Sequence, residues 1–539
     1  MRRLVLGISL ILLLSPGLSH STDGLSDPPT WSEAPDTKEI DAGDTGFICP
    51  PLENQSWRNS QEILGVRIEK SERCSPDNPQ VVAAVTKGTN NVPRRILMRT
   101  GLSEDAVRKG RDLDRDGDPD VINISLEVAE LNGWTSATGR STTWEIAPGI
   151  KPGFWVFAPE TRGMATEGSA ASELIRMPSP AIRVEENDRV RVTLENTHYF
   201  PHTIHFHGVD HPFQDKKGEG NDGVPQTSGE MVMPGEQHTY NFQPSEPGTF
   251  FYHCHVQPST HVLMGLNRML IVSKDRENNT VQTFNIGNGK VRNPSKAVDK
   301  KYDQAYDMLY QGVDRQLHNI IKMSDDPRVI AEHINRKYDI TERTPDYFLL
   351  NGLSFPYTVR ESQVVVEPNE LTKIRVLNSG SESISIHTHG HRPVKTHVDG
   401  MKLDDPIRRD VFSVSPAQRI SLKLNSTTEG LNSYGKGVWF FHNHREEAVT
   451  NNGVAPGGDI TLITYESFLK ENGIPKHPDT WNKYFSPKYY KGEVPVWYSD
   501  SMPEYLGEAG RRSRPASILG LFAVLGIALG GLIGWRWFR

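Results

Sequence analysis

From Val121 onward the chain alternates apolar and polar residues at a period of two, in short runs closed by Gly, Pro and Asp. The runs are VINISLEVAEL, AIRVEENDRVRVTLEN, HTYNFQP, GTFFYHCHV and NRMLIVSK. Such a period sends successive side chains to opposite faces, so each run predicts a half-buried strand. Many short strands with turns between them predict an all-β fold, a sandwich of antiparallel sheets. The pattern then occurs a second time. KIRVLNSGSESISIHTHGH resembles VRVTLENTHYFPHTIHFHG, and GKGVWFFHNH resembles PGTFFYHCH, trailing it by a little under two hundred residues. A duplication at that spacing predicts two homologous sandwiches, over 119–275 and 302–470, joined by a polar linker at 276–301. One helix is expected within the second domain, over Asp326 to Lys337.

The flanks read differently. Residues 23–118 are rich in Pro, Asn and charge, which predicts loops and a small N-terminal extension, and 471–514 form a C-terminal extension. Residues 1–22 have the layout of a secretory signal peptide: Arg2 and Arg3, the apolar run Leu4 to Leu14, then Ser15-Pro16-Gly17. At the other end, within 515–539, Ala516 to Trp535 is apolar and long enough to cross a bilayer, either as a retained transmembrane helix or as a processed sorting signal. The expectation is an exported, periplasmic or otherwise extracytoplasmic protein tethered to a membrane. A net charge of -7, from 60 basic and 67 acidic residues, gives no overall bias toward nucleic acid. Asp112, Asp114, Asp116, Asp118 and Asp120 stand at the odd positions of a possible calcium loop. Its twelfth position is Asn123 rather than Glu, so a solvated acidic turn is an equal reading.

Chemistry concentrates in four His-X-His pairs: His205/His207, His253/His255, His387/His389 and His442/His444. On a strand each pair offers two imidazoles to one face and its middle residue to the other. In one pair that middle residue is Cys254. The other two cysteines, Cys49 and Cys74, could pair in an oxidising compartment, which leaves Cys254 as an unpaired thiol best explained by metal ligation. Thiolate beside imidazole with a weak axial thioether is the signature of a blue copper site.

The segments HTIHFHG, HCHVQPSTHVLM, HTHGH and HNH resemble the four copper motifs of multicopper oxidases, and the two sandwiches resemble the two-domain, laccase-like members of that family. The resemblance covers roughly residues 119 to 470 and implies two cupredoxin-like Greek-key domains. It implies a type 1 copper on His202, Cys254, His261 and Met264. A type 2 copper would then lie on His205 and His387, and a type 3 pair on His207, His253, His255, His389, His442 and His444. The separation of His261 from Cys254 is wider than in three-domain laccases. Ile384 and Asn443 stand where His202 and Cys254 stand in the first copy, so the second domain would carry no blue copper. The activity implied is one-electron oxidation of a small-molecule or metal-ion donor, coupled to four-electron reduction of dioxygen to water. Asp222 and Asp399 are candidate proton-relay carboxylates, and each Asp-Gly is also a hairpin turn signal. His198, His211, His391 and His397 fall outside the motif register. Without a middle sandwich, the family pattern implies a cluster shared between neighbouring subunits of a homotrimer.

Two other functions remain in view. A copper nitrite reductase also has two such domains but needs no type 3 pair, and an electron-transfer protein needs only the blue site. Both leave the second-domain histidines unexplained.

Overall fold

The computed structural model describes most of residues 110–159, 177–276 and 302–494, with short strands at 61–63, 66–68 and 284–285. The signal-peptide and C-terminal helix segments, Cys49, Cys74 and nearly all of the linker lie outside the described residues. Among the described residues no helix is long and apolar enough to cross a membrane.

The alternating runs form strands as their period dictates. In the first domain β1 (Val121–Leu131), β2 (Phe154–Pro159), β4 (Arg189–Glu195) and β6 (Gln237–Phe242) make one sheet, with Gly110–Arg111 at its edge. The facing sheet has the order Phe284–Asn285, β3 (Ala181–Glu185), β8 (Asn267–Ser273), β7 (Gly248–His253) and β5 (His205–His207). The second domain repeats this plan. One sheet orders β10 (Tyr347–Leu350), β9 (Gln304–Val313), β12 (Leu371–Asn378), β17 (Arg419–Asn425), β14 (Val394–Val398) and β15 (Met401–Arg408). The other orders β11 (Val364–Val366), β19 (Thr461–Tyr465), β18 (Val438–Asn443), β13 (Ile384–Thr388) and β16 (Val411–Val414).

The sheets are mixed rather than purely antiparallel. β1 runs parallel to β4 and β3 to β8, and the second copy matches with β9 parallel to β12 and β11 to β19. Alternation fixes which face of a strand is buried and carries no information on its direction. Here the chain crosses to the facing sheet at β3 before β4 returns beside β1, so the two enter in the same sense.

Each sandwich encloses its own core: Ile122, Val192, Tyr240 and Tyr252 among others in the first, Tyr306, Ile374, Ile386 and Phe441 in the second. The expected helix needs correction. Asp326 caps α2 (Pro327–Glu332) by accepting from the Arg328 amide, and His333–Lys337 continues as a wider π turn. Ile330 and Ile334 pack into the first-domain core rather than the second. A preceding amphipathic helix, α1 (Arg315–Met323), sends Leu317, Ile320 and Ile321 to the same place. Gly153 permits that approach, because a Cβ there would meet Ile321 Cγ1 at 2.3 Å.

The domains are locked by a shared apolar cluster that includes Leu131, Trp144, Phe154, Val313 and Leu349. The Trp144 indole donates to the Gly352 carbonyl at 2.7 Å. Beside it Asp307, fully buried, pairs with Arg183 of the first domain and Arg375 of the second. The acidic loop closes through Asp120, whose carboxylate accepts from the amides of Leu113 and Asp114. Asp112 and Asp118, two of the carboxylates in the calcium reading, lie outside the described residues.

Candidate metal centre

One group of ligands forms where β7 ends. The strand stops at His253, and Cys254 continues in its direction, donating its amide to the Leu266 carbonyl at 3.0 Å. A short helix over Pro258–Met264 follows, with Pro at its start and Gly265 (φ 117°) as its left-handed stop. Residues three apart share a helix face, so His261 and Met264 both turn inward. His261 Nδ1 lies 3.4 Å from Cys254 Sγ, and His202 Nδ1 lies 3.5 Å from it. His202, Cys254 and Met264 are fully buried and His261 is nearly so.

Burial sets the electrostatics of this group. It drives His202 well below the ordinary imidazole range, helped by His198 and His261, and lowers His261 to about 3. It pushes the Cys254 thiol up to about 12. Two neutral imidazoles with lone pairs facing a buried sulfur are a poor site for a proton and a good one for a soft cation, whose charge would hold the thiolate.

The paired histidines present the opposite face. In register, His205 lies opposite His253 and His207 opposite Phe251 on the neighbouring strand, so their side chains share one side of the sheet. His207 Nε2 and His253 Nε2 are 2.9 Å apart. The ring of His205 lies 5.5 Å from that of His253 and 5.3 Å from that of His255. Nδ1–H of His253 donates to the Cys254 carbonyl at 2.8 Å, which leaves the Nε2 lone pair free to face His207. Burial, then the neighbouring histidines, lower His207 to about 3, while burial takes His253 to about 4.

The second sandwich builds the same device. His387 lies opposite His442, His389 Nε2 is 3.2 Å from His442 Nε2, and His442 donates from Nδ1 to the Asn443 carbonyl at 2.9 Å. His444 adds a fourth ring, 5.6 Å from His387. Burial lowers His387, His389 and His442 from the ordinary range. Three sets of donor atoms therefore converge within 4.8 Å: His202 with Cys254 and His261, His205 with His207 and His253, and His387 with His389 and His442. The second and third sets are separate groups. Nδ1 atoms of His255 and His387 are buried without a hydrogen-bond partner, as expected of rings whose partner is an ion or another polar group.

The carboxylates divide. Asp222 Oδ1 stands 3.2 Å from His205 Nδ1 and 3.3 Å from His211 Nε2, so it joins the first histidine group. Asp399 sits in the β14–β15 turn at φ 52°, ahead of Gly400, and pairs with Arg419 at 3.3 Å. The acid beside the second group is instead Asp410, 3.8 Å from His387 Nε2. It precedes β16, the partner strand of β13, and only that pairing brings it there. Of the histidines outside the motifs, His198 bonds His202 at 2.8 Å, while His391 bonds the His389 carbonyl and His397 the Thr396 hydroxyl. In the second sandwich the place of the thiol is taken by Asn443, fully buried and hydrogen-bonded through its side chain and amide to Asp459. Burial raises Asp459 to about 7.

These features define a protein with a buried thiol and imidazole site in one β-sandwich and an open histidine group on each of two. Family descriptions of multicopper oxidase match residues 174–277 and 330–455, one in each sandwich. Laccase 1 of Metarhizium robertsii is 36% identical over 93 residues, a stretch covering 16% of this chain and 14% of that laccase. The chain thus aligns with about a seventh of the length of such curated relatives. A blue copper oxidase from Nitrosomonas europaea is similar in structure with a TM-score of 0.47 and 26% identity, over 69% of this chain and 93% of that one. The multicopper oxidase mgLAC gives a TM-score of 0.47 and 25% identity, over 70% and 94%.

Proposed function

We propose that the protein is a multicopper oxidase that couples one-electron oxidation of a reductant to the reduction of dioxygen to water. The observation that carries this is the repeated histidine geometry: both sandwiches bring Nε2 atoms of paired histidines to about 3 Å, and only one of them adds a buried thiol. His202, Cys254, His261 and Met264 would hold a type 1 copper. His205 and His387 would hold type 2, and His207, His253, His255, His389, His442 and His444 the type 3 pair. Copper bound there supplies single-electron transfer at the thiolate site and dioxygen reduction at the histidine cluster.

The chain's own residues do the rest. Cys254 faces the core while its neighbours His253 and His255 face the histidine group, so the two sites are joined by single residue steps of backbone. Asp222 bridges His205 and His211 and is positioned to hold a proton at the edge of the group. Asp410 is placed to do the same beside His387. Two separate histidine quartets in one chain favour completion by a second copy, and a homotrimer with clusters between subunits fits best. We also infer export and attachment to a membrane through the C-terminal apolar segment, supported by the sequence alone.

Copper analysis with oxygen uptake tests the proposal. Four coppers per chain equivalent and uptake driven by a phenol, Fe(II), Mn(II) or Cu(I) are expected. Two coppers per chain would instead favour a nitrite reductase, and a blue protein that consumes no oxygen would be an electron carrier.

A further inference from the structure

Glu130, near the end of β1, is the focus of an unusual concentration of donors. The Trp155 indole donates to Oε1 at 2.6 Å, the Tyr199 hydroxyl donates to the same oxygen, and Asn132 Nδ2 donates to Oε2 at 2.6 Å. His198 Nε2 stands 3.1 Å from Oε1. A carboxylate only accepts, so His198 carries its proton on Nε2 and its lone pair on Nδ1. The Phe200 amide points at that Nδ1 from 3.4 Å, and His202 Nε2 lies 2.8 Å from it. His202 must therefore donate from Nε2. Its lone pair is then on Nδ1, the atom that faces Cys254 Sγ.

No solvent reaches His202 to set this state, since the residue is fully buried. The rings around it are fixed as well. Trp155 meets His198 and His261 edge to face at 5.1 Å, and Tyr199 lies over His198 at 4.0 Å. The same oxygen of Glu130 thus orients the indole that packs on both imidazoles and the histidine that bonds one of them.

We propose that Glu130 and His198 form a relay of positioning residues that fixes the tautomer and orientation of His202 toward the metal. The inference rests on the copper reading of the thiol site. Its effect is to present Nδ1 bare and aimed at the sulfur before any metal arrives, which lowers the reorganisation that binding requires.

Ring-nitrogen NMR on the full, metal-free chain, with copper titration followed by visible absorption, tests it. In the wild type, His202 should be protonated at Nε2 and bare at Nδ1. Glu130→Leu should give a mixture of tautomers and weaken copper binding at the visibly absorbing site by roughly ten- to a hundredfold. Glu130→Gln, which keeps an acceptor oxygen, should restore both, and His198→Phe should reproduce the loss. A wild-type His202 protonated at Nδ1 overturns the relay, as does a Glu130→Leu chain with unchanged tautomer and affinity. Should Glu130→Leu not fold, the wild-type tautomer and the Glu130→Gln chain decide. Failure of wild type to develop an intense visible band with copper overturns the copper reading instead, and the tautomer measurement is independent of it.

Discussion

Cys254 Sγ lies 3.4 Å from Nδ1 of His261, a residue seven positions further on and one helical turn before the left-handed stop at Gly265. The sulfur and the imidazole meet because the chain leaves β7 and turns at once into the short helix that carries Met264 as well. Cys254→Ser should therefore abolish the intense visible band and remove one copper per chain, leaving the histidine coppers in place. Absorption and metal analysis on the same sample check this, and a variant that retains the band would place the blue site elsewhere.

The separate histidine quartets bear on assembly. His207→Ala disables the first-domain quartet and His442→Ala the second. Each chain alone should be inactive in oxygen uptake. If the cluster forms between subunits of a closed ring, co-assembly of the two in equal amounts regenerates intact sites at about a quarter of positions, by random placement around the ring. An intramolecular cluster predicts no recovery, so oxygen uptake by the co-assembled sample separates the two.

At the domain boundary Asp307 holds the buried guanidinium of Arg183 and reaches Arg375 at 3.2 Å. Burial already lowers Arg183 to about 10, with Asp307 opposing that shift. Asp307→Asn leaves buried positive charge uncompensated and should cost about 3–5 kcal/mol in urea unfolding. A loss below 1 kcal/mol would mean that water or another acid takes over the pairing.

Asp459 makes a pH-dependent contribution whose sign follows from its raised value of about 7 against an ordinary 3.8. The folded chain binds this proton more tightly than the unfolded one. Its contribution is therefore fully present below pH 3.8 and is lost as pH rises through 7, by an amount on the order of 4 kcal/mol. Asp459→Ala should flatten the fall in metal-free stability over that window, whatever its effect on the absolute value. Denaturant midpoints across the window measure the slope.

Much of this was legible in the sequence because strand periodicity and motif spacing are local. The alternation at Val121–Leu131 and Gly248–His253 marked real strands, and the His-X-His pairs marked which residues would share a face. Other placements depend on packing that no local pattern encodes. Asp399 and Asp410 are both near a histidine pair in the chain, yet a turn draws Asp399 to Arg419 while strand pairing carries Asp410 to His387. The Asp326 helix has the amphipathic face the sequence implies, but nothing local says that Ile330 and Ile334 bury themselves in the other sandwich.

The sequence by itself determined the strand faces, the duplication, the lone thiol among the histidines and the absence of a second thiol where Asn443 stands. These depend only on the order of residue types and the geometry of an extended chain. The tertiary structure alone decided that β1 and β4 run parallel, that His198 and Glu130 stand behind His202, and that Asp459 fills the place opposite Asn443. Each of those is a meeting of side chains or strands distant in the chain, and register and packing, rather than local pattern, choose the partner.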